Sequence, residues 1–172
     1  MKNKTSLTKD AILKDPYNYT LKEMKDCLGE EMATDFFESL YKNKPKIQNQ
    51  TVKIKEVFNG KDTLKYAFEL SDGYCIETVC IKRKTGITVC VSTMVGCPVG
   101  CIFCASGKNG FIRNLSSSEI VQQIVLLKEK VNRIVFMGMG EPLLNYGEVI
   151  KAIHILRDRD GLNFPTDGIT IS

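Results

Sequence analysis

Cys97, Cys101 and Cys104 fall within eight residues of one another in "MVGCPVGCIFCASGKNG", with glycines on both sides. Three thiolates at this spacing on one loop can each hold an iron of a [4Fe–4S] cluster and leave the fourth iron without a protein ligand. An iron left open can chelate a second molecule. Gly96, Gly100 and Gly107 let a backbone fold closely around an inorganic core. The competing reading is a structural zinc ion. Zinc takes four closed ligands, usually from paired C-x2-C knuckles, whereas here a single C-x2-C pair stands with no histidine near it. A second stretch, "MGMGEPL" from Met137 to Leu143, follows a run typical of a buried strand. Glycines at the carboxyl end of a parallel strand admit a ligand close to the backbone, and Glu141 offers a carboxylate to an amine on it. The plainer reading is a strand-to-helix turn with a solvated glutamate.

These stretches need elements to position them. Residues 1–48 read as a polar helical segment, with Leu21, Met24 and Leu28 on one face and Phe36, Phe37 and Leu40 following at helical spacing. Gly29 interrupts this pattern and Pro45 stops it. From 51 to 93 the period changes. "TLKYAFEL", "YCIETVCI" and "ITVCVST" are short β-rich runs separated by the turn signals "SDG" and "KRKTG", which predicts a hairpin or meander. Then strand and helix alternate. "SSSEIVQQIVLLKEK" opens on a capping box, Ser116 with Glu119. "NRIVFMGMG" is a strand, "NYGEVIKAIHILRDRDG" a helix with Gly161 as its C′ stop, and "GITIS" another strand. This β-α-β-α-β order predicts parallel strands with right-handed crossovers. The expected organisation is a helical accessory segment over 1–48, then a β-hairpin and the start of an α/β barrel over 49–172. The cysteine loop should follow the "ITVCVST" strand, Gly140 and Glu141 should share its carboxyl edge, and the three sulfurs should converge.

The bulk numbers narrow the class. A chain of 172 residues, 43% hydrophobic and 26% charged, reads as globular. Its net charge of +4 permits a nucleic-acid partner without demanding one. The first residues hold no apolar signal region and no run is long enough to span a membrane, so the cytoplasm is the expected location. Seven cysteines, three of them clustered, favour metal or redox chemistry there over a disulfide framework. Of the rest, Cys75 and Cys80 read as buried small apolar residues, Cys27 and the lone His154 as helix residues without catalytic roles, and Lys82-Arg83-Lys84 as a solvated turn. Lys108 and Arg113 flank the cysteine loop, where they would meet phosphates. Phe36 and Phe37 read as core.

Together, Cys97-x3-Cys101-x2-Cys104 with Phe103 before the last cysteine, and "GMGEP", resemble the radical S-adenosylmethionine (SAM) superfamily. "ETVCI", "TVCVSTMVGC", "GFIRNLSSSEI", "MGMGEPLLN" and "ITIS" are similar, in order, to blocks of one family within it, the radical SAM adenine carbon-2 RNA methyltransferases of 23S ribosomal RNA and, in some members, tRNA. The resemblance implies a partial radical SAM (βα) barrel, a [4Fe–4S] cluster on Cys97, Cys101 and Cys104, and SAM contacts at Gly140, Glu141 and Ser172. It implies that Glu77 is the proton acceptor. It also implies that Cys90 completes turnover, taking the ring proton and closing a disulfide with a methyl-carrying cysteine. One SAM methylates that carrier, and a second starts the radical chemistry, with an external electron donor as partner. Carbon 2 of adenine is not nucleophilic, so the cofactor supplies the reactivity and the protein the positioning.

The family's carrier cysteine lies far downstream, and no cysteine follows Cys104 here. The sequence therefore reads as the N-terminal portion of such an enzyme, lacking the later strands and inactive alone without a C-terminal half. Two other readings stay open. One is a different radical SAM reaction. The other is a non-catalytic remnant that holds a cluster or zinc and binds RNA or a partner chain.

Overall fold

The computed structural model describes residues 7–42, 50–108 and 110–172. Three helices come first: α1 (Lys9–Lys14), α2 (Leu21–Leu28) and α3 (Glu30–Tyr41). Thr20 and Glu23 form a capping box that starts α2. Gly29, at φ 86°, ends α2 and begins α3, a backbone angle that L side chains avoid. Leu21, Met24, Phe37 and Leu40 are buried, and the Phe37 and Tyr41 rings lie 4.7 Å apart. Pro45 lies outside the described residues.

A meander follows: β1 (Val52–Asn59), β2 (Thr63–Leu70), β3 (Cys75–Arg83) and β4 (Gly86–Cys90), each antiparallel to the one before. The strand β1 alternates in sequence only as far as Lys55. Lys53 and Lys55 interleave its apolar residues, a bulge falls between Ile54 and Glu56, and all but Val52 are exposed, as suits a charged edge strand.

The parallel part begins where β7 (Val131–Phe136) pairs with β4, and β8 (Ile169–Ile171) pairs with β7. Between β4 and β7 lie a small antiparallel pair, β5 (Met94–Gly96) with β6 (Phe111–Asn114), and the helix α4 (Ser117–Val125). The expected Ser116–Glu119 capping box is present. Helix α5 (Tyr146–Arg157) links β7 to β8. One mixed sheet results, in the order β1-β2-β3-β4-β7-β8, with β4 antiparallel to one neighbour and parallel to the other. The fold is α/β, with parallel strands that form part of a barrel.

Two expectations about local structure are corrected. Gly161 does not cap α5, because the helix ends at Arg157 and Asp158, at ψ 134°, turns the chain out. Gly161 is instead a packing residue, since a Cβ there would lie 2.9 Å from the Phe37 ring. Cys75 is exposed and not buried, because β3 alternates and its odd-numbered side chains leave the core while Ile76, Thr78 and Cys80 enter it.

One hydrophobic core joins the helices to the sheet. It is threaded by buried polar side chains of α4. Gln123 is fully buried; its Oε1 accepts from the Thr78 hydroxyl and the Ser92 N–H, both at 2.8 Å, and its Nε2 donates to Ser92 O at 2.9 Å. The Ser118 hydroxyl donates to Asp15, and Ser117 to Asn18 Oδ1 at 2.6 Å, which fasten α4 to the turn before α2. Each of these α4 groups is thus partnered, as burial requires, whereas the hydroxyls of Tyr41 and Thr93 are buried without a hydrogen-bond partner among the described residues.

Candidate active site

The chemistry-bearing residues gather at the carboxyl edge of the parallel strands. Cys90 ends β4, the "GMGE" turn follows β7, and Ser172 follows β8. Because β3 runs antiparallel to β4, its first half, with Cys75 and Glu77, reaches the same edge. Register places Val79 opposite Cys90, so Glu77, two residues before Val79, and Cys90 lie on one face of the sheet. Glu77 is exposed and pairs with Lys65 of β2 at 2.9 Å. Ser92 ties these parts together: its Oγ donates to Glu77 O at 2.6 Å and accepts the Met139 N–H at 3.0 Å.

The "GMG" glycines are explained by close approach. A Cβ on Gly138 would meet Val91 O at 2.6 Å, and one on Gly140, at φ 103°, would meet Met94 Cβ at 2.6 Å. Thr93 N–H donates to Met139 O at 2.8 Å. Glu141 caps the 3₁₀ turn Pro142–Asn145, its Oε1 accepting the Leu143 N–H at 3.0 Å, so the carboxylate is held at the turn and is not freely solvated. Asn145, buried one turn later, donates to Thr93 O at 2.9 Å and Leu115 O at 2.8 Å. Sequence reasoning missed Ser92, Gln123 and Asn145, since only register and crossover order bring their partners together.

The cysteine loop projects between β5 and β6. Its base is tight: the Cys97 N–H donates to Gly110 O at 3.1 Å, and a Cβ on Gly96 would lie 1.9 Å from that oxygen. At its tip Ile102 and Phe103 are almost fully exposed. The three thiols are free, in no disulfide. The Ser106 backbone N–H, with its hydroxyl, pulls the Cys104 thiol below its ordinary range, toward the thiolate that metals bind. Among the described residues no three His, Cys, Asp or Glu side chains form a group that could hold a metal ion, so the expected convergence of the sulfurs on one point is corrected. A single zinc needs such a point; a cubane offers a separate iron to each thiolate and tolerates spread donors. Three free thiols on one glycine-rich loop are the donor set that a [4Fe–4S] cluster takes.

A cleft of about 320 Å³ opens beside this loop, and Cys75, Glu77, Gly96, Ser106, Ile112 and Met139 are among its lining residues. It joins Glu77 to the loop and to the "GMG" turn. Cys90, Gly140, Glu141 and Ser172 border the same edge but do not line it, and neither do Cys97, Cys101 and Cys104 themselves. Burial pushes the Cys90 thiol up, while the Met137 N–H opposes this. Arg113 corrects one expectation. Its guanidinium is bidentate to Glu119, at 2.8 and 2.9 Å, and reaches Asp72 at 2.6 Å, so it fastens β6 to α4 and is not free for phosphate.

Residues 91–172 match the radical SAM superfamily. A probable RNA methyltransferase of Rhodopseudomonas palustris is 61% identical over 113 residues, which cover 66% of this chain and 32% of that protein. A probable dual-specificity RNA methyltransferase RlmN of Pseudothermotoga lettingae is 48% identical over 130 residues, covering 73% of this chain and 38% of that protein. A crystal structure of a radical SAM methyltransferase from Sphaerobacter thermophilus superposes with a TM-score of 0.84 at 30% identity, over 90% of this chain and 55% of that one. The matched region thus amounts to about a third of each of these two curated relatives. The match implies a [4Fe–4S] cluster and SAM as cofactors. In its cysteine loop, its fold and these relatives, the chain is similar to the radical SAM superfamily and, within it, to the RNA methyltransferases.

Proposed function

We propose that this chain is the cluster- and SAM-binding portion of an enzyme that methylates carbon 2 of adenine in 23S ribosomal RNA and tRNA in the cytoplasm. The observation that carries the reading is the shared edge: one cleft is lined by Glu77, by Met139 of the "GMGE" turn and by Ala105 and Ser106 beside Cys104. Cys97, Cys101 and Cys104 hold the cluster. When bound and reduced by an external donor, that cluster supplies the electron that opens SAM to radical chemistry.

The remaining work belongs to side chains. Gly138 and Gly140 let the turn pack directly on Val91 and Met94, and this turn would hold the amino-acid end of SAM. Glu141 presents its second carboxylate oxygen to the SAM ammonium, and Ser172 adds a polar contact from the neighbouring strand. Glu77, exposed toward the cleft, is the proton acceptor. Cys90, at the end of β4, takes the ring proton and closes a disulfide with the methyl-carrying cysteine as its bond to the transferred carbon breaks and product leaves. None of the seven cysteines matches the methyl carrier, so we assign that thiol to polypeptide outside these 172 residues.

Anaerobic reconstitution with iron and sulfide tests the site. It should give a brown protein with about four irons per chain, and Cys97→Ala, Cys101→Ala or Cys104→Ala should abolish it. Stoichiometric zinc with no iron uptake would overturn the reading. In a methylation assay with SAM, reductant and a 23S RNA fragment, the chain should form methyladenosine only when a polypeptide carrying the remaining strands and a cysteine is added. Product from the chain alone, lost in Cys104→Ala, would show that a cysteine present here carries the methyl.

A further inference from the structure

We propose that the amino-terminal edge of the parallel strands, opposite the cleft, is a docking surface for the phosphodiester backbone of RNA. The inference rests on the RNA reading above but concerns a surface that reading does not use. Lys82 and Arg83 end β3 and Lys84 follows in the turn to β4, while Lys128 and Lys130 precede β7 and Arg133 lies in its first half. They are far apart in sequence and brought together by the sheet. Ile87 pairs with Val131 and Thr88 with Arg133. The Asn132 Oδ1 accepts the Ile87 N–H at 2.8 Å, and a Cβ on Gly86 would overlap the Asn132 side chain, so the two turns touch.

All six cations are exposed, and none forms an ion pair among the described residues. By contrast, Lys25, Lys42, Lys55, Lys65, Arg113 and Lys151 are each paired with a carboxylate. Asp62 lies beside this edge, its carbonyl accepting the Lys82 N–H at 2.8 Å, and Glu129 accepts the Tyr66 hydroxyl at 2.6 Å. Other cations are unpaired too among the described residues, Lys9, Lys14 and Lys22 included, but these six are gathered by the sheet on one edge. Such a surface gains by releasing the counterions of a polyanion. The five residues of β4 separate it from the cleft by about 15 Å, a span that one folded RNA covers. Phosphate contacts here would set the register of the substrate without reading its sequence.

The test is RNA binding, with no cofactor and no turnover. A fluorescein-labelled RNA hairpin is titrated with the whole chain over a range of salt concentrations. The variants are Lys82→Gln/Arg83→Gln/Lys84→Gln and Lys128→Gln/Lys130→Gln/Arg133→Gln. A third, Lys9→Gln/Lys14→Gln/Lys22→Gln, removes equal charge from exposed helix positions. Each edge variant should weaken binding by about tenfold or more and flatten the slope of log K against log salt by about 2, while the helix variant leaves both near wild type. Equal weakening in all three would make the effect net charge alone and overturn the proposal, as would wild-type binding by the edge variants. So would edge-dependent binding to phosphatidylserine vesicles with edge-independent binding to RNA. Unchanged thermal unfolding of the variants excludes misfolding as the cause. Edge-dependent RNA binding without methylation in the complemented assay would sink the methyltransferase reading and leave the docking surface standing; the reverse result would do the opposite.

Discussion

Gly140 shows how much a single residue decides. At φ 103°, with Met94 Cβ and N within 3 Å of where its Cβ would lie, it has no room for a side chain. Gly140→Ala should lower stability by about 2 kcal/mol, read as a fall in denaturation midpoint at constant m, because strain and contact act together. Wild-type stability would mean that Met94 simply moves aside. Cys80 gives a pH signature. Burial, with the Glu129 charge behind it, pushes its thiol from 9.0 up to about 12. The folded state resists ionisation, so this stabilisation is full below pH 9.0 and is lost as pH rises toward 12. Cys80→Ala should cost about 1 kcal/mol at neutral pH, from the lost sulfur, and should shrink the alkaline loss. Denaturation midpoints at neutral and alkaline pH check both. At this scale the placement of the cysteine loop after β4 and of Glu141 after β7 was legible in sequence, because each follows its strand within a few residues. Arg113 was not, because its partners Asp72 and Glu119 lie on two other elements.

Among the elements, α4 has the widest reach. Gln123 alone satisfies the Thr78 hydroxyl and both backbone groups of Ser92, so it couples β3 to the start of the cysteine loop. Gln123→Met keeps the shape and removes every hydrogen bond. The buried groups left behind should cost about 3 kcal/mol, and amide exchange at Ser92 should accelerate. Loss of under about 1 kcal/mol, with Ser92 still protected, would show that a water replaces the amide. The capping box of α4 and the alternation of β2 and β3 could be read ahead, since each is a local pattern. The edge strand β1 and the β5–β6 pair could not. The first alternates only as far as Lys55, where a bulge falls, and the second is only three or four residues per strand.

The whole molecule is two-sided. Helices cover one face of the sheet, while the other face, with Glu77 and Cys75, stays open. At the carboxyl edge Met137, Leu143, Leu144 and Tyr146 are all more than half exposed. Apolar groups so concentrated favour association, and β8 offers an unpaired strand edge nearby. In sedimentation equilibrium the mass of the 172-residue chain should rise with concentration, and Leu143→Lys/Leu144→Lys should restore the monomer mass. A wild-type mass independent of concentration would refute this. The sheet also gives the site a parity. On β3 the residues facing the cleft side carry odd numbers, and on β4, through the pairing of Val79 with Cys90, even ones. The β4 strand is shared between an antiparallel and a parallel neighbour, so its count is fixed from both sides. One residue inserted between Thr88 and Cys90 would swap odd for even and turn the thiol toward the helices, without removing a single functional residue. Two inserted residues would restore it. In such a sheet an enzyme can be lost by arithmetic alone.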